Sequence, residues 1–409
     1  MRKNLGVFAA AGLLAVAVAG PVSAQAPEDP LGVVTIPAGE PVVIYGWGVV
    51  SGPDASLATD WIGAMKVAAS ERGDEILGHP LMIKVEDGLC TPEGGATAAS
   101  RMAADPTAVG LIGSACSDET VGGIEQITAA GLTTISPSNT RPALTAEDRG
   151  PTYDGYMRTA HNDLVQGAVV ADFVYNELGL RKAATIHDGS SYGEALQQVF
   201  ADNFTQMGGE VLLQEAVQKD QTDMKPVLTS IAAAGPEIIY YPIFVAAGGY
   251  ITAQSKEVAG LENVALIGSD GMFTGDFVKA AGPAAAGMYL SSPAVAGEAY
   301  QEFLAKYEEI NGTQPPAPFH AHGYDAMNIM LNAIEKVAVP ADDGALYVPK
   351  GALRDALFAT ADWQGLTGTL TCSPTGDCGA GAIGIYQIAQ AEVDGAWPPA
   401  VIWQPGAAE

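Results

Sequence analysis

The segment from Val109 to Ser138, VGLIGSACSDETVGGIEQITAAGLTTISPS, contains a complete unit of predicted secondary structure. An apolar run of strand length opens it, an amphipathic segment of helix length follows, and a second apolar run, LTTIS, closes it. Apolar strands on either side of a helix are typical of a parallel sheet whose two faces are both covered by helices. The segment therefore predicts a βαβ unit of an α/β protein.

The same alternation extends on both sides of this unit. Upstream, VVIYGWGVV and LMIKVED predict strands that are each followed by a helix. Downstream the pattern starts again with the helix DLVQGAVVADFVYNEL, and strands such as KAATIH, EIIYYPI and NVALIGS alternate with further helices. Two helical stretches and a late strand, AIGIYQIA, follow the strand YLSSP. Two successive runs of one architecture predict two similar, doubly wound parallel-sheet lobes.

The N-terminus predicts export. Arg2 and Lys3 precede an apolar run that ends near Gly20, and the small-residue tripeptide VSA follows. This is the pattern of a secretory signal peptide, residues 1–24, with the mature chain beginning at Gln25. Later stretches fall short of the roughly 18 apolar residues that a spanning helix needs. We expect a soluble protein in the periplasm or outside the cell.

Size and charge limit the fold and the partners. Removing 24 residues from 409 leaves 385, which exceeds the size at which one core usually divides, so two domains are expected. The formal net charge is −28, and becomes −30 without the two signal-peptide cations. Such a surface repels phosphate backbones and anionic lipid headgroups. We expect no nucleic-acid partner and no binding to a membrane surface.

Four cysteines in an exported chain favour two disulfides. Cys372 and Cys378 flank Pro374 and Gly376 in TCSPTGDCG, which predicts a stapled hairpin and leaves Cys90 and Cys116 to pair with each other. Zinc is the alternative ligand of such cysteines, but histidine is missing at ligand spacing from either pair. We therefore expect no metal and no cofactor.

An enzyme is one alternative. The stretch from Gly189 to Gly193 matches the G-x-S-x-G pattern between a predicted strand and helix, and Ser191, Asp270 and His322 occur in the order of a hydrolase triad. The pattern arises by chance roughly once in four such sequences, and a turn that caps the following helix explains it equally well. The phosphate-binding pattern G-x-x-x-x-G-K-[ST] does not occur. The sequence favours a protein that is not an enzyme.

Reversible binding of a small polar molecule is the second alternative. Ligands of open α/β sheets lie beyond the carboxyl ends of the strands, where helices begin. There the hydroxyls of Ser117, Ser138 and Thr140, together with helix-start N–H groups, would accept a carboxylate. Asp270, at the end of a strand in the second run, could meet an ammonium group. The combination describes an amino acid, although ordinary helix capping by the serines and threonine stays open.

A family resemblance extends over nearly the whole predicted mature chain, from VVSGPDASLATDWIGAMKVA to GIYQI. The chain resembles the periplasmic substrate-binding proteins of branched-chain amino acid ABC transporters, and is similar to the leucine/isoleucine/valine-binding protein. Seven segments occur in the family order: VEDGLCTPEGGATAASRMAAD, LIGSACSDET, TISPSNTRPALT, MRTAHNDLVQG, IHDGSSYGEAL, EIIYYPIF and LIGSDGMF.

The resemblance implies a type I periplasmic binding protein, in which two lobes are joined by a three-crossing hinge. The N-terminal lobe would comprise residues 40–159 and 292–380, and the C-terminal lobe residues 160–291 and 381–409. The crossings would fall near Arg158 to His161, YLSSP and GAGAIGI, with Asp163 facing the cleft.

The resemblance also implies a ligand site. Cys90 would pair with Cys116 beside the pocket, and Asp270 would take the α-ammonium group. The other implied contacts are the hydroxyl and N–H of Ser117, backbone groups of Ser138, the hydroxyl and N–H of Thr140, and the side chains of Tyr192, Phe244 and Phe319.

Three departures from the family pattern affect the choice of ligand. Asp270 stands where the amino acid binders usually have glutamate, Leu57 replaces an aromatic residue, and Pro242-Ile243 replace a glycine pair. A short amide, urea or an aromatic acid is therefore the alternative ligand.

The function implied is that of a monomeric, extracytoplasmic binding protein of an ABC importer. It would close on an amino acid, branched-chain or similar, like a Venus flytrap and present it to a membrane permease. A serine hydrolase acting through Ser191 and a receptor ectodomain of the same fold are the less favoured classes.

Overall fold

The structure is a computed structural model that describes residues 26–379 and 382–406. The predicted signal peptide therefore lies outside the described residues. The strands are β1 (Val33–Ile36), β2 (Val42–Gly48), β3 (Glu75–Ile76), β4 (His79–Asp87), β5 (Ala108–Gly113), β6 (Thr134–Ser136), β7 (Tyr156–Arg158), β8 (Lys182–His187), β9 (Glu210–Ala216), β10 (Ile238–Tyr240), β11 (Ala265–Gly268), β12 (Tyr289–Pro293), β13 (Val339–Pro340), β14 (Leu346–Pro349), β15 (Trp363–Gly365), β16 (Gly368–Leu370), β17 (Ile383–Gln387) and β18 (Val401–Trp403).

The helices surround these strands. A π-helical turn, Phe173–Glu177, extends the fourth helix, and a short 3-10 helix, Asp270–Met272, follows β11. The α-helices are α1 (Ser56–Ser70), α2 (Pro92–Ala104), α3 (Ser117–Ala129), α4 (Asp163–Asp172), α5 (Ser191–Gln206), α6 (Lys225–Ala234), α7 (Val245–Ser255), α8 (Gly275–Ala281), α9 (Glu298–Asn311), α10 (His320–Val337), α11 (Lys350–Phe358) and α12 (Gln390–Val393). Within the described ranges, none of them combines the length and the apolar character that crossing a membrane requires.

The first lobe contains a six-stranded sheet in the order β3-β4-β2-β5-β6-β7. Its strands are parallel except for β3, which forms an antiparallel pair with β4. Every residue of β2 is buried, because side chains that alternate along a strand enter the cores on both faces. Ile44 shares one core with Trp61, and Tyr45 shares the other with Ile124.

The second lobe contains a seven-stranded sheet in the order β18-β17-β12-β11-β10-β8-β9. Five neighbouring strands, β12, β11, β10, β8 and β9, are parallel, as predicted. Strands β17 and β18 are antiparallel to their neighbours. The cause is the chain path: β12 runs out toward the first lobe and β17 runs back from it. The two doubly wound lobes are confirmed, and the second sheet carries two antiparallel strands at one edge.

A smaller sheet, in the order β1-β14-β13, extends the first lobe. Strand β1 pairs antiparallel with β14, and the side chains of Val34, Ile36, Leu346 and Val348 are buried there. The first lobe thus includes residues that precede position 40, where the sequence pattern placed its start.

Three segments link the two main sheets. The first runs from the end of β7 at Arg158 to the start of α4 at Asp163, and the second from Pro293 to α9. The third precedes β17 and contains residues 380–381, which lie outside the described residues. The lobe boundaries given above stay a proposal, and each falls in or beside one of these segments.

Both cysteine pairs form disulfides. Cys90–Cys116 joins the loop after β4 to the start of α3, and the α-carbons of the pair lie 5.2 Å apart. Cys372–Cys378 spans six positions. The hairpin predicted for this second pair is wrong: the five intervening residues form a turn, closed by a 2.8 Å bond from the Ser373 N–H to the Asp377 carbonyl. The residues next to this turn form no paired strands within the described range, since β16 ends at Leu370 and β17 begins at Ile383.

Candidate functional site

The turn before α3 is held by a buried carboxylate. Glu119 Oε2 accepts hydrogen bonds from the backbone N–H groups of Ala115 (2.9 Å) and Cys116 (3.0 Å), and its Oε1 accepts from the N–H of Cys90 (2.9 Å). Burial raises the pKa of Glu119 to about 7. Sequence reasoning missed Glu119, although its place three residues after the helix N-cap is the spacing of a capping box.

Ser114 connects this turn to the next one. Its hydroxyl donates to the carbonyl of Cys116 (2.8 Å), and its carbonyl accepts from the hydroxyl of Ser136 (2.8 Å) and the amide of Asn139 (3.0 Å). The Ser138 hydroxyl donates to the carbonyl of Ala115 (3.0 Å). The hydroxyl of Ser138 therefore fixes the two turns to each other, and its N–H donates to the hydroxyl of Ser136 (3.3 Å), which leaves its carbonyl for a ligand.

Ser117 is the polar group that the first lobe leaves free. Neither its N–H nor its hydroxyl makes a hydrogen bond to the described part of the chain. It is the first residue of the 13-residue helix α3, where unpaired N–H groups and the helix dipole attract an anion. This end of the cleft is suited to a carboxylate.

Asp270 is the corresponding group of the second lobe. Its Oδ1 accepts hydrogen bonds from the hydroxyl of Tyr192 (2.8 Å) and the amide of Gln166 (2.7 Å). Its Oδ2 has no partner within the described residues, so this oxygen is available to a ligand. Burial raises the pKa of Asp270, and the charge of nearby Asp163 also opposes ionisation of the pair.

These residues enclose a narrow cleft between the lobes. Tyr192 and Phe244 form one wall, with ring centroids 5.4 Å apart. Six of the seven predicted ligand residues line the cleft, and Leu57 lines it too. The lining residues are Leu57, Ala115, Cys116, Ser117, Ser138, Tyr192, Phe244, Asp270, Gly271 and Phe319.

Thr140 is the seventh, and it does not line the cleft. Its hydroxyl donates to Asp163 Oδ2 (3.0 Å), and its carbonyl accepts from the N–H of Asp163 (3.0 Å). Asp163 is fully buried, and its Oδ1 has no hydrogen-bond partner. Burial raises the pKa of this carboxyl, with the nearby charge of Asp270 as the second cause. Thr140 thus supports an acid beside the cleft.

No basic side chain neutralises this pair of acids within the described residues. Arg158 is fully buried, but its guanidinium donates to Asp377 Oδ2 at 2.6 Å. His161 is also buried, and burial lowers the pKa of its ring, while the charge of Asp270 counteracts this shift. Neither Asp163 nor Asp270 therefore has an ion-pair partner within the described residues, and a cationic ligand could supply one.

The lobes also meet at the mouth of the cleft. Lys219 Nζ of the second lobe lies 2.8 Å from Asp118 Oδ2 and donates to the carbonyl of Cys90 at 3.0 Å. Asp118 Oδ1 accepts from the N–H of Ser191 (3.0 Å), and Asp54 Oδ1 accepts from the N–H of Val245 (3.1 Å). These mouth contacts show a closed arrangement, and sequence reasoning did not predict them.

The residues of the alternative hydrolase triad do not form one. In G-x-S-x-G it is Ser190, not Ser191, whose side chain caps α5, by accepting from the Gly193 N–H at 3.0 Å. Both ring nitrogens of His322 are buried without a hydrogen-bond partner, and burial lowers the pKa of the ring to about 3. Such a histidine does not activate a serine.

The described residues contain no group of three or more histidine, cysteine or acidic side chains arranged to hold a metal ion. All four cysteines are consumed in the two disulfides.

The fold and the cleft define a class: a two-lobe protein that closes around a small solute. The family model for periplasmic binding proteins matches residues 47–395. The chain therefore belongs to the periplasmic binding protein family, and the resemblance predicted from the sequence is confirmed.

Two curated relatives are similar over different lengths. The Leu/Ile/Val-binding protein homolog 3 of Brucella melitensis is 26% identical over 378 residues, which cover 91% of this chain and 94% of the relative. An amino acid binding protein of Pseudomonas aeruginosa is 29% identical over 243 residues, which cover 59% of this chain and 63% of that protein. The alignment thus spans less than two thirds of the second relative.

Two solved structures share the fold. The branched-chain amino acid transporter substrate-binding protein LivJ of Streptococcus pneumoniae, in complex with isoleucine, superposes with a TM-score of 0.75 at 21% identity, over 90% of this chain and 100% of that one. A solute-binding protein of an ABC transporter from R. palustris, in complex with benzoate, gives 0.73 at 20% identity, over 89% and 96%. Both proteins are described as solute binders, and the likeness shows that this chain has their fold.

Proposed function

We propose that this chain is the extracytoplasmic substrate-binding component of an ABC importer, and that it binds an L-amino acid between its lobes. One observation carries the proposal. The first lobe offers free N–H and hydroxyl groups at a helix N-terminus, and the second lobe offers buried acids that lack a cation. An amino acid supplies both complementary charges in one small molecule.

Ser117 would bind the carboxylate of the ligand. Its hydroxyl and N–H are the free donors at the start of α3. A hydrogen bond to a charged group is worth about 1.5 to 3 kcal/mol, because the partner is ionised and water is excluded. Ser138 would add its backbone carbonyl as an acceptor, since its hydroxyl already donates to Ala115 and its N–H to Ser136. Thr140 would act through Asp163.

Asp270 would bind the α-ammonium group through its unpartnered Oδ2. Asp163, whose Oδ1 is also unpartnered, lies close enough to Asp270 for the charge of Asp270 to raise the pKa of Asp163. An ammonium group between them would remove this repulsion. Tyr192, Phe244, Phe319 and Leu57 would surround the side chain of the ligand.

An aromatic acid is the second candidate, because benzoate occupies one structural neighbour. Benzoate would satisfy Ser117, but it carries no cation for Asp163 and Asp270. Two buried acids beside a third negative charge are costly to ionise. A short amide could donate to Asp270, yet it would leave the helix N-terminus without an anion. Both are weaker fits than an amino acid.

Closure would complete the site. The ligand would bind first to the hydroxyl-rich first lobe, and rotation about the three linking segments would bring Asp270 and Tyr192 onto it. The mouth contacts would hold the closed form, which a membrane permease would recognise.

Asp270→Asn tests the proposal. The amide has nearly the same size, but it removes the negative charge, so affinity for an amino acid should fall by about 100-fold or more in calorimetry. Asp325→Asn is a matched control. Asp325 is also fully buried, but it accepts from the N–H groups of Leu366 and Thr367, away from the cleft. Unchanged amino acid affinity in Asp270→Asn would refute the role given to Asp270.

A further inference from the structure

Gln166 is a buried amide with four hydrogen-bonded contacts. Its Nε2 donates one hydrogen to Asp270 Oδ1 (2.7 Å) and shares the other between the hydroxyl (3.0 Å) and the carbonyl (3.3 Å) of Ser291. Its Oε1 lies 2.6 Å from His161 Nε2. The side chain is fully buried on α4, so water does not compete for these bonds.

The chemistry of the neighbours fixes the orientation of this amide. If oxygen and nitrogen were exchanged, the amide oxygen would lie 2.7 Å from an oxygen of Asp270, and the two would repel while Asp270 is ionised. In the observed orientation the amide oxygen accepts, so His161 Nε2 carries the proton. The other ring nitrogen of His161 is buried without a partner.

The partners of Gln166 lie in different parts of the hinge. His161 belongs to the segment that links β7 to α4, and Ser291 lies on β12, which leads into the second linking segment. The ring of His161 also stacks on Phe319, at 6.1 Å between centroids and 10° between planes. Phe319 lines the cleft. One amide therefore joins the acid of the ligand site to two linking segments and, through His161, to a wall of the cleft.

We propose that Gln166 is a positioning residue: it anchors one oxygen of Asp270, aims the other at the ligand, and couples the ligand's cation to the hinge. The inference deepens the proposed function and rests on it. A cation on Asp270 Oδ2 draws negative charge from Oδ1, which weakens the hydrogen bond from Gln166 to Oδ1. The weaker bond alters the hydrogen bonds of Gln166 to His161 and Ser291. The segments that bend during closure are thus in hydrogen-bonded contact with the group that the ligand neutralises.

Gln166 also determines how readily Asp270 ionises. Burial raises the pKa of Asp270, whereas the charge of His161 and then the hydrogen bonds from Gln166 and Tyr192 lower it. The other titratable groups around this acid are His161, Asp163 and Tyr240. Loss of the donor should therefore move the ionisation of Asp270 to higher pH. Because a cation binds the ionised form, binding would be lost at a higher pH as the solution is acidified.

The test compares Gln166→Met with the wild type. In the purified, ligand-free protein, ¹³C NMR titration of the aspartate carboxyl carbons, with Asp270 assigned from the Asp270→Asn spectrum, should show an upward shift of its midpoint. Amino acid affinity should fall at least tenfold at neutral pH. Gln197→Met is the control, because Gln197 is another buried amide of the second lobe and donates only to the carbonyl of Glu215.

Gln166→Glu is the second variant, which keeps the volume and an oxygen acceptor for His161 but replaces the donor with an acid. It should shift the Asp270 midpoint upward further still. A purely structural role would lower thermal stability in both variants while the midpoint stays in place, and that result would overturn the inference. If the midpoint shifts but the wild type binds no amino acid, the positioning of Asp270 stands and the proposed ligand class fails.

Discussion

Glu119 shows how one side chain can organise a binding turn. Its carboxylate accepts three backbone N–H groups from two loops that the Cys90–Cys116 disulfide also joins. Burial would normally force such an acid to stay neutral, and it raises the pKa to about 7, while the hydrogen bonds counteract the shift. The turn that presents Ser117 is therefore held by the disulfide and by an acid, neither of which needs to touch the ligand.

Glu119→Gln should destabilise the protein. One of the two oxygens becomes an amide nitrogen that faces an N–H donor, and a buried donor left without an acceptor costs about 1 to 3 kcal/mol. We expect a lower Tm in thermal unfolding followed by circular dichroism. The control is Glu125→Gln, an exposed glutamate on the same helix. Equal Tm values for the two variants would contradict the role of Glu119.

At this scale the sequence identified residues that line the cleft better than the residues that hold them in place. Ser117 and Asp270 follow from strand ends and from the family resemblance, because both lie where such folds bind ligands. Gln166 and Ser114 could not be predicted, because their importance depends on partners such as Asp270 and Asn139, which lie far away in the sequence. Thr140 lies beside Asp163 for the same reason: only the fold brings them together.

At the scale of elements, the closed cleft is held by helix starts. The first N–H of α5 donates to Asp118, and the first N–H of α7 donates to Asp54. In the opposite direction, the side-chain hydroxyl of Ser56, the first residue of α1, donates to Asp276 of the second lobe. Each lobe thus supplies carboxylates to helix N-termini of the other, where unpaired N–H groups and the helix dipole favour a negative charge.

Lys219→Met should make ligand release faster. Lys219 pairs with Asp118 across the mouth, and its ammonium lies 5.4 Å from the centre of the Phe244 ring in the cleft wall. The lysine side chain is one-third exposed, so solvent screening limits its contribution. We expect a loss of about 1 to 2 kcal/mol, equivalent to a 5- to 30-fold faster dissociation in stopped-flow measurements.

The matched control for this variant is Lys225→Met. Lys225 pairs with an acid too, but this acid, Glu257, lies on the same lobe as the lysine. Both side chains are more than half exposed. Its dissociation rate should equal that of the wild type. If Lys219→Met released ligand at the same rate as Lys225→Met, the mouth contact would have no part in holding the closed form.

Elements whose contacts are local in sequence were predicted better than elements whose partners lie far away along the chain. Apolar runs and amphipathic periodicity predicted the parallel strands and their helices, because each βαβ unit is local in sequence. Strand β1 was missed because its partner β14 lies at the other end of the chain. The antiparallel direction of β17 was missed because this strand enters the second sheet from the first lobe, whereas its neighbour β12 runs toward the first lobe. Three linking segments were implied by the family resemblance and not by the periodicity.

For the whole molecule, the negative charge of the surface contrasts with the local potential inside the cleft. The chain carries a formal charge of −28, so its surface keeps polyanions away, and yet its cleft suits a ligand with a carboxylate. The helix N-terminus at Ser117 resolves this difference, because it gives a local positive potential without a basic side chain. In the proposed function, the acids of the other lobe favour a ligand that brings a positive charge as well.

The most direct test is isothermal titration calorimetry of the purified protein. The panel comprises the common L-amino acids, the 2-hydroxy acid of the best binder, and benzoate, a short amide and urea. We predict that an L-amino acid binds in the micromolar range or tighter, and that its 2-hydroxy acid, which keeps the carboxylate and the side chain but lacks the ammonium group, binds at least 100-fold more weakly. Equal binding of the two, or a signal from benzoate or an amide with none from any amino acid, would contradict the account.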